Sequence, residues 1–202
     1  RISGFLGPLP IVGCSSLAII SNQGIFKHGL ILVLLSLGES VYFNAAEVRG
    51  INTRSATLCG EEFAQNLLYG FKNIRRDLGL IFSDGFLRDG SGFISGLQEM
   101  LGRSFPFVGA SASANLASDK TYLYSGAEVL NDAACGILWG GKLNFGLGIK
   151  HGWRPLGKPR YVTKSAANVV YEIDSLPAAA IYKEYLNFDL VKLRKELKRI
   201  SI

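Results

Sequence analysis

Two stretches of this chain repeat one another, and that most narrows the folds open to it. Leu9-Pro10-Ile11-Val12-Gly13-Cys14-Ser15-Ser16 and Phe105-Pro106-Phe107-Val108-Gly109-Ala110-Ser111-Ala112 share Pro, Val, Gly and Ser at a common offset of 96 residues. Each is preceded by Ile-Ser-Gly and an apolar residue, Ile2 to Phe5 and Ile94 to Leu97, at an offset of 92. After each copy comes a polar pair and an apolar run: Lys27-His28 before Gly29 to Leu35, and Asn131-Asp132 before Ala133 to Trp139. Self-similarity at a fixed spacing is the signature of a duplicated supersecondary unit. Strand–turn chemistry alone also favours Pro, Gly and Ser, so chance convergence is the competing explanation, and the flanking agreement weighs against it. Duplication predicts copies at about 1–56 and 57–188, the first incomplete at its amino end and therefore expected to have a helix and a strand upstream.

The second copy supplies the element pattern. Cys59 to Phe71 places Phe63, Leu67 and Phe71 at helical spacing. Leu78 to Phe82 then predicts a strand, and Gly92 to Leu101 a second helix. Val41 to Val48, Lys120 to Tyr124, Ala133 to Trp139, Phe145 to Lys150 and Val169 to Ile173 are short, β-branched or aromatic and bounded by Gly, Asn or Asp, which predicts strands. Pro177 to Leu186, with Pro in the first turn, and Leu190 to Arg199 predict helices. The 24 glycines exclude a helix bundle, because each interior helical Gly costs roughly 1 kcal/mol. The expected class is α+β, with mixed β-sheets flanked by helices.

Charge and cysteine usage restrict the partners. The net charge of +6 hints at an anionic surface, but five basic residues against a single Glu fall within Leu190 to Ile202, leaving a nearly neutral body. Residues 189–202 are expected to form a basic amphipathic linker helix, with Leu190, Leu193, Leu197 and Ile200 on one face; a membrane-surface or nucleic-acid helix is the alternative. No nucleic-acid partner is expected, and no apolar stretch approaches the roughly 20 residues that span a bilayer. Cys14, Cys59 and Cys135 are odd in number and set in apolar surroundings, as expected of reduced thiols in a cytoplasmic protein. With only His28 and His151, no metal site is expected, nor any cofactor. Gly146-Leu147-Gly148-Ile149-Lys150-His151-Gly152 has the wrong spacing for a dinucleotide loop, and no Walker loop or nucleophile elbow is present.

Three groups carry candidate chemistry. Gly109, Ser111 and Ser113 follow an apolar strand in a segment without bulky side chains, where a carboxylate or phosphate would meet N–H and hydroxyl donors; Gly13 and Ser15 offer the equivalent in the first copy. The alternative is a pair of tight turns whose small residues let the copies pack. Asp84 ends a strand, where a carboxylate faces the crevice used by ligands of open α/β sheets; it holds a ligand amine or simply closes a turn. His151, Trp153 and Arg154 combine a titratable ring, an aromatic face and a guanidinium able to stack on a ligand and pair its carboxylate, unless Trp153 is a core anchor.

Pro106 to Ala112, Lys120-Thr121-Tyr122, His151-Gly152-Trp153-Arg154-Pro155, Val162-Thr163, Asn168-Val169-Val170 and Pro177-Ala178, with Phe82-Ser83-Asp84-Gly85 upstream, occur in an order that resembles the amino-terminal half of the FIST domain family. The resemblance implies an intracellular sensory module that binds small ligands such as amino acids and works beside a carboxy-terminal companion or signalling domain. Nothing after Leu186 resembles that family's carboxy-terminal half. The expected function is a cytoplasmic small-ligand sensory domain spanning residues 1–188. An enzyme using Ser111 or Asp84, or a protein-interaction scaffold, are the alternatives.

Overall fold

The computed structural model describes residues 4, 7, 9–114, 120–152, 154–155, 157–166, 168–181 and 184. The chain divides into two compact units, Arg1–Gly146 and Leu147–Ile202. Strands of the first are β1 (Val12–Cys14), β2 (Ile19–Ser21), β3 (Gly24–Phe26), β4 (Val41–Arg49), β5 (Arg76–Ser83), β6 (Phe107–Ser111), β7 (Leu123–Ser125), β8 (Glu128–Leu130) and β9 (Ala133–Gly141). Among the described residues, its helices of a turn or more are α1 (Ala56–Leu68) and α2 (Gly90–Leu101).

A four-stranded mixed sheet in the order β4-β9-β5-β6 organises the unit. Strand β9 carries a nearly continuous apolar run and occupies an interior position, antiparallel to both β4 and β5. Strands β5 and β6 run parallel, Gly79 opposite Phe107 through Ser83 opposite Ser111, with α2 as the crossover helix. One face of the sheet meets the helices: Val48, Ile81, Ala134 and Leu138 pack with Phe63, Leu67, Phe93 and Leu97. The other carries Phe82 and Cys135 against Val12, Cys14, Leu123 and Leu130 of the small β1-β7-β8 sheet.

Local chemistry sets the helix ends. Ser55 caps α1 by accepting from the Leu58 N–H, and Asp89 caps α2 by accepting from the Gly92 N–H. At the far end of α1 the Asn44 amide donates to the carbonyls of Asn66 and Leu67, tying the helix to β4. The helices cross through glycine. A Cβ on Gly60 would lie 2.2 Å from the Phe93 carbonyl oxygen, and one on Gly96 2.0 Å from that of Thr57. The Phe63 and Phe93 rings stack beside this crossing with centroids 6.0 Å apart. The second Ile-Ser-Gly of the repeat thus supplies a helix contact.

The second unit contains the antiparallel meander β10 (Val162–Ala166), β11 (Val169–Ile173) and β12 (Leu176–Pro177). Asp174 and Ser175 both take positive φ and make the two-residue turn between β11 and β12. Arg160 pairs with Asp174 and Glu184. The Asp174 carboxyl is held below its ordinary range chiefly by the Tyr161 N–H it accepts from, with Arg160 adding to it.

The α+β class with mixed sheets is as expected, with both predicted helices of the first unit and the strands at Val41, Leu78, Ala133 and Val169. Other expectations are corrected. Phe145 to Lys150 forms no strand, since it is exposed and has no ladder partner. The strand expected at Lys120 to Tyr124 begins at Leu123, because Thr121 and Tyr122 bond to loops instead. Leu176–Pro177 pairs with β11 where a helix was expected to start at Pro177, and helical residues are described only from Ala180, at Ala180, Ile181 and Glu184. The predicted helix at Leu190 to Arg199 lies outside the described residues. The duplication is not confirmed by pairing: β1 is antiparallel to β7, whereas the matching segment in β6 is parallel to β5. The run Gly29 to Leu35, matched in sequence to β9, joins no sheet.

Candidate functional site

The parallel pairing of β5 and β6 brings their carboxyl ends side by side. Ser83 and Ser111 are register partners there, with hydroxyl oxygens 3.1 Å apart. Ser111 is exposed and Ser83 half-buried. Just before them, Gly109 lets β6 approach β5, since a Cβ there would lie 1.7 Å from the Ile81 carbonyl oxygen. The Ala112 N–H then donates to the Ser83 carbonyl and carries the chain on past the sheet.

Asp84 lies directly behind this edge and is only 5 % exposed. Its Oδ1 accepts from the Phe86 N–H at 2.8 Å and from the Thr121 hydroxyl at 3.0 Å. Its Oδ2 accepts from the Asp132 N–H at 2.7 Å. Thr121 Oγ1 accepts in turn from the Gly85 N–H. One carboxylate therefore joins the β5–α2 loop, the approach to β7 and the turn into β9, which is the geometry of a turn closure. Asp132 extends the network by accepting from the Asn52 N–H.

The two small-residue loops engage each other. The Ser15 hydroxyl donates to the Ser113 carbonyl and accepts from the Tyr122 N–H. Ser113 Oγ accepts from the Leu17 N–H, and the Ser113 N–H donates to the Ser15 carbonyl. Ser15 and Ser113 thereby clasp the loop after β1 to the loop after β6. Gly13 sits in different surroundings from Gly109: a Cβ there would make ordinary contact with the Tyr124 ring, and its carbonyl accepts from the Cys135 thiol.

His151 and Arg154 are exposed residues of the second unit, and Trp153 lies outside the described residues. The first unit therefore holds Gly109 and Ser111 at the β5–β6 edge with Asp84 behind it and joins Ser15 to Ser113, while Gly13 packs instead against Tyr124 and Cys135. It also adds three residues that sequence reasoning passed over: Ser83, Thr121 and Asp132. Thr121 and Ser83 stood in motifs quoted for their order alone, and Asp132 in the polar pair that follows the second repeat. Ser83 required the strand register to be known.

The thiols suit packing. Burial pushes the Cys135 thiol up to about 11, while hydrogen bonds from it to the Gly13 and Tyr124 carbonyls leave it facing backbone. Burial also raises Cys14 and Cys59. Among the described residues no group of His, Cys, Asp and Glu is placed to hold a metal ion, and no helix is long and apolar enough to cross a membrane.

The mixed sheet and the two described helices packed on one of its faces define an α+β domain. The FIST N domain matches residues 1–175, and the chain belongs to that family of signal-transduction sensory domains. An uncharacterized protein of Methanocaldococcus jannaschii is similar to it, at 28 % identity over 212 residues. That match covers 95 % of this chain but 39 % of the relative, so the chain spans well under half the length of the protein it resembles. No solved structure matches.

Proposed function

We propose that this chain is the small-ligand-binding part of a cytoplasmic signal-transduction protein, and that the ligand is an amino acid or related carboxylate held at the carboxyl edge of β5 and β6. The observation that carries this is the Ser83–Ser111 hydroxyl pair on adjacent parallel strands, with Ser111 exposed and Ser83 half-buried. Strand carboxyl ends are where open sheets receive ligands, and hydroxyl donors suit a carboxylate. Gly109 and Ala110 add no bulk along the approach. Ser15 and Ser113 fix the loop that flanks the edge, and Asp84 fixes the floor beneath it. His151, Trp153 and Arg154 form a second candidate group, able to stack on a ligand and pair its carboxylate.

Occupancy would bias a conformational equilibrium read by a companion domain, which requires the ligand to favour one state. Three reduced, free cysteines are consistent with a cytoplasmic setting. The experiment is a thermal-shift screen with the proteinogenic amino acids and simple dicarboxylates. A rise in unfolding temperature that grows with ligand concentration, and is lost in Ser111→Ala, supports the proposal. Conversion of a compound would favour an enzyme. No response to any compound, with specific capture of a protein, would favour a scaffold.

A further inference from the structure

The segment between β3 and β4 is out of keeping with the rest of the first unit. Leu30-Ile31-Leu32-Val33-Leu34-Leu35 are six consecutive large apolar residues, each between 47 % and 71 % exposed. They belong to no sheet. A continuous uncharged apolar run without Pro or Gly is the pattern of a strand buried on both faces, and an exposed one is a template for another strand. The neighbouring β2–β3 hairpin adds Ile20 and Ile25, register partners that are both 73 % exposed. Together these side chains present apolar surface on the order of several hundred Å², approaching what one partner contributes to a stable protein interface.

The charges at its ends indicate what covers it. No charged residue lies between Lys27 and Glu39, and both of these are exposed. Val33 stands midway between them. When two copies of the run pair antiparallel about Val33, Leu32 faces Leu34, Ile31 faces Leu35, and Lys27 of each copy faces Glu39 of the other. Parallel pairing would instead set like charges together at both ends. The patch also contains a hollow of about 200 Å³, lined among others by Ile19, Phe26, Leu30 and Ile31, beside the exposed leucines of the same run.

We propose that this chain forms a two-fold dimer by antiparallel pairing of the Leu30–Leu35 run, with Lys27 and Glu39 bridging the copies at both ends. This interface is separate from the carboxyl edge of β5 and β6, so its failure would leave the ligand proposal untouched. Sedimentation velocity of the 202-residue chain over a wide concentration range provides the test. The wild-type chain is expected to dimerise, and Val33→Lys to be monomeric with an unchanged circular dichroism spectrum. Lys27→Glu or Glu39→Lys alone is expected to raise the dissociation constant roughly tenfold, by replacing attraction with repulsion at two symmetric positions. The double variant Lys27→Glu/Glu39→Lys is expected to restore it. A wild-type chain that stays monomeric throughout, or a dimer indifferent to Val33→Lys and to charge reversal, overturns the proposal.

Discussion

Replacing Asp84 by Asn keeps the shape of a buried side chain while removing one of its acceptors, which makes the network around it quantitatively testable. The carboxylate accepts three hydrogen bonds, two at Oδ1 and one at Oδ2. An Asn can turn its carbonyl toward Phe86 N–H and Thr121, but its NH2 then faces the Asp132 N–H, donor against donor. Losing a hydrogen bond to a charged group and stranding the buried donor costs about 2–3 kcal/mol. Asp84→Ala strands all three donors and is expected to cost about 4 kcal/mol, near the upper end for a single substitution. Thr121→Val, which loses one donor to Asp84 and the acceptor for the Gly85 N–H, is expected to cost about 1–2 kcal/mol. Combined with Asp84→Ala it should cost much less than the sum, because the pair shares a bond. Urea unfolding without ligand measures all four. An Asp84→Asn variant within about 0.5 kcal/mol of wild type, a shift typical of neutral surface changes, would refute the turn-closing assignment.

The helix crossing gives a pair of predictions of opposite sign. Gly96→Ala drives a Cβ into the Thr57 carbonyl and the Glu61 N–H and should destabilise by about 1–3 kcal/mol, whereas Gly90→Ala, with open space at the same helix's start, should be neutral or stabilise by up to about 1 kcal/mol; thermal unfolding separates them. Alkaline pH provides another. The Cys135 thiol is neutral in the fold to about pH 11 but ionises near its ordinary 9 once unfolded, so stability should fall between pH 9 and 11, by about 2–3 kcal/mol at most. Cys135→Ala should remove that part of the pH dependence, measured as the difference between the two unfolding curves. Finally, Ser15→Ala unpairs the Tyr122 N–H and should loosen the clasp with Ser113, seen as faster amide exchange from Leu17 and Tyr122 than in wild type.

Much of the fold was legible because burial left its period in the sequence. Phe63 and Leu67 sit at helical spacing and turn inward, whereas Phe71 is buried beyond the helix, which ends at Leu68 and not at Phe71 as expected; the run from Ala133 lies inside the sheet. Less legible was anything decided by which strands pair. The matching segments around Gly13 and Gly109 look alike in sequence, yet β1 finds an antiparallel partner and β6 a parallel one. The Leu30 run resembles β9 in composition and has no sheet to enter. In the site, Ser111 stood out because small residues flank it. Ser83 did not, since only the β5–β6 register places its hydroxyl against that of Ser111. Asp84 was singled out for its position at a strand end, while its partners Thr121 and Asp132 lie 37 and 48 residues away in sequence.

The ligand assignment rests on the Ser83–Ser111 edge, and calorimetric titration of the wild-type chain and the Ser83→Ala/Ser111→Ala double variant with the amino acid giving the largest thermal shift tests it most directly. Saturable binding to wild type is predicted, with affinity at least tenfold weaker in the double variant while its unfolding temperature without ligand stays near wild type. Equal affinity in both proteins would contradict a ligand held by these two hydroxyls.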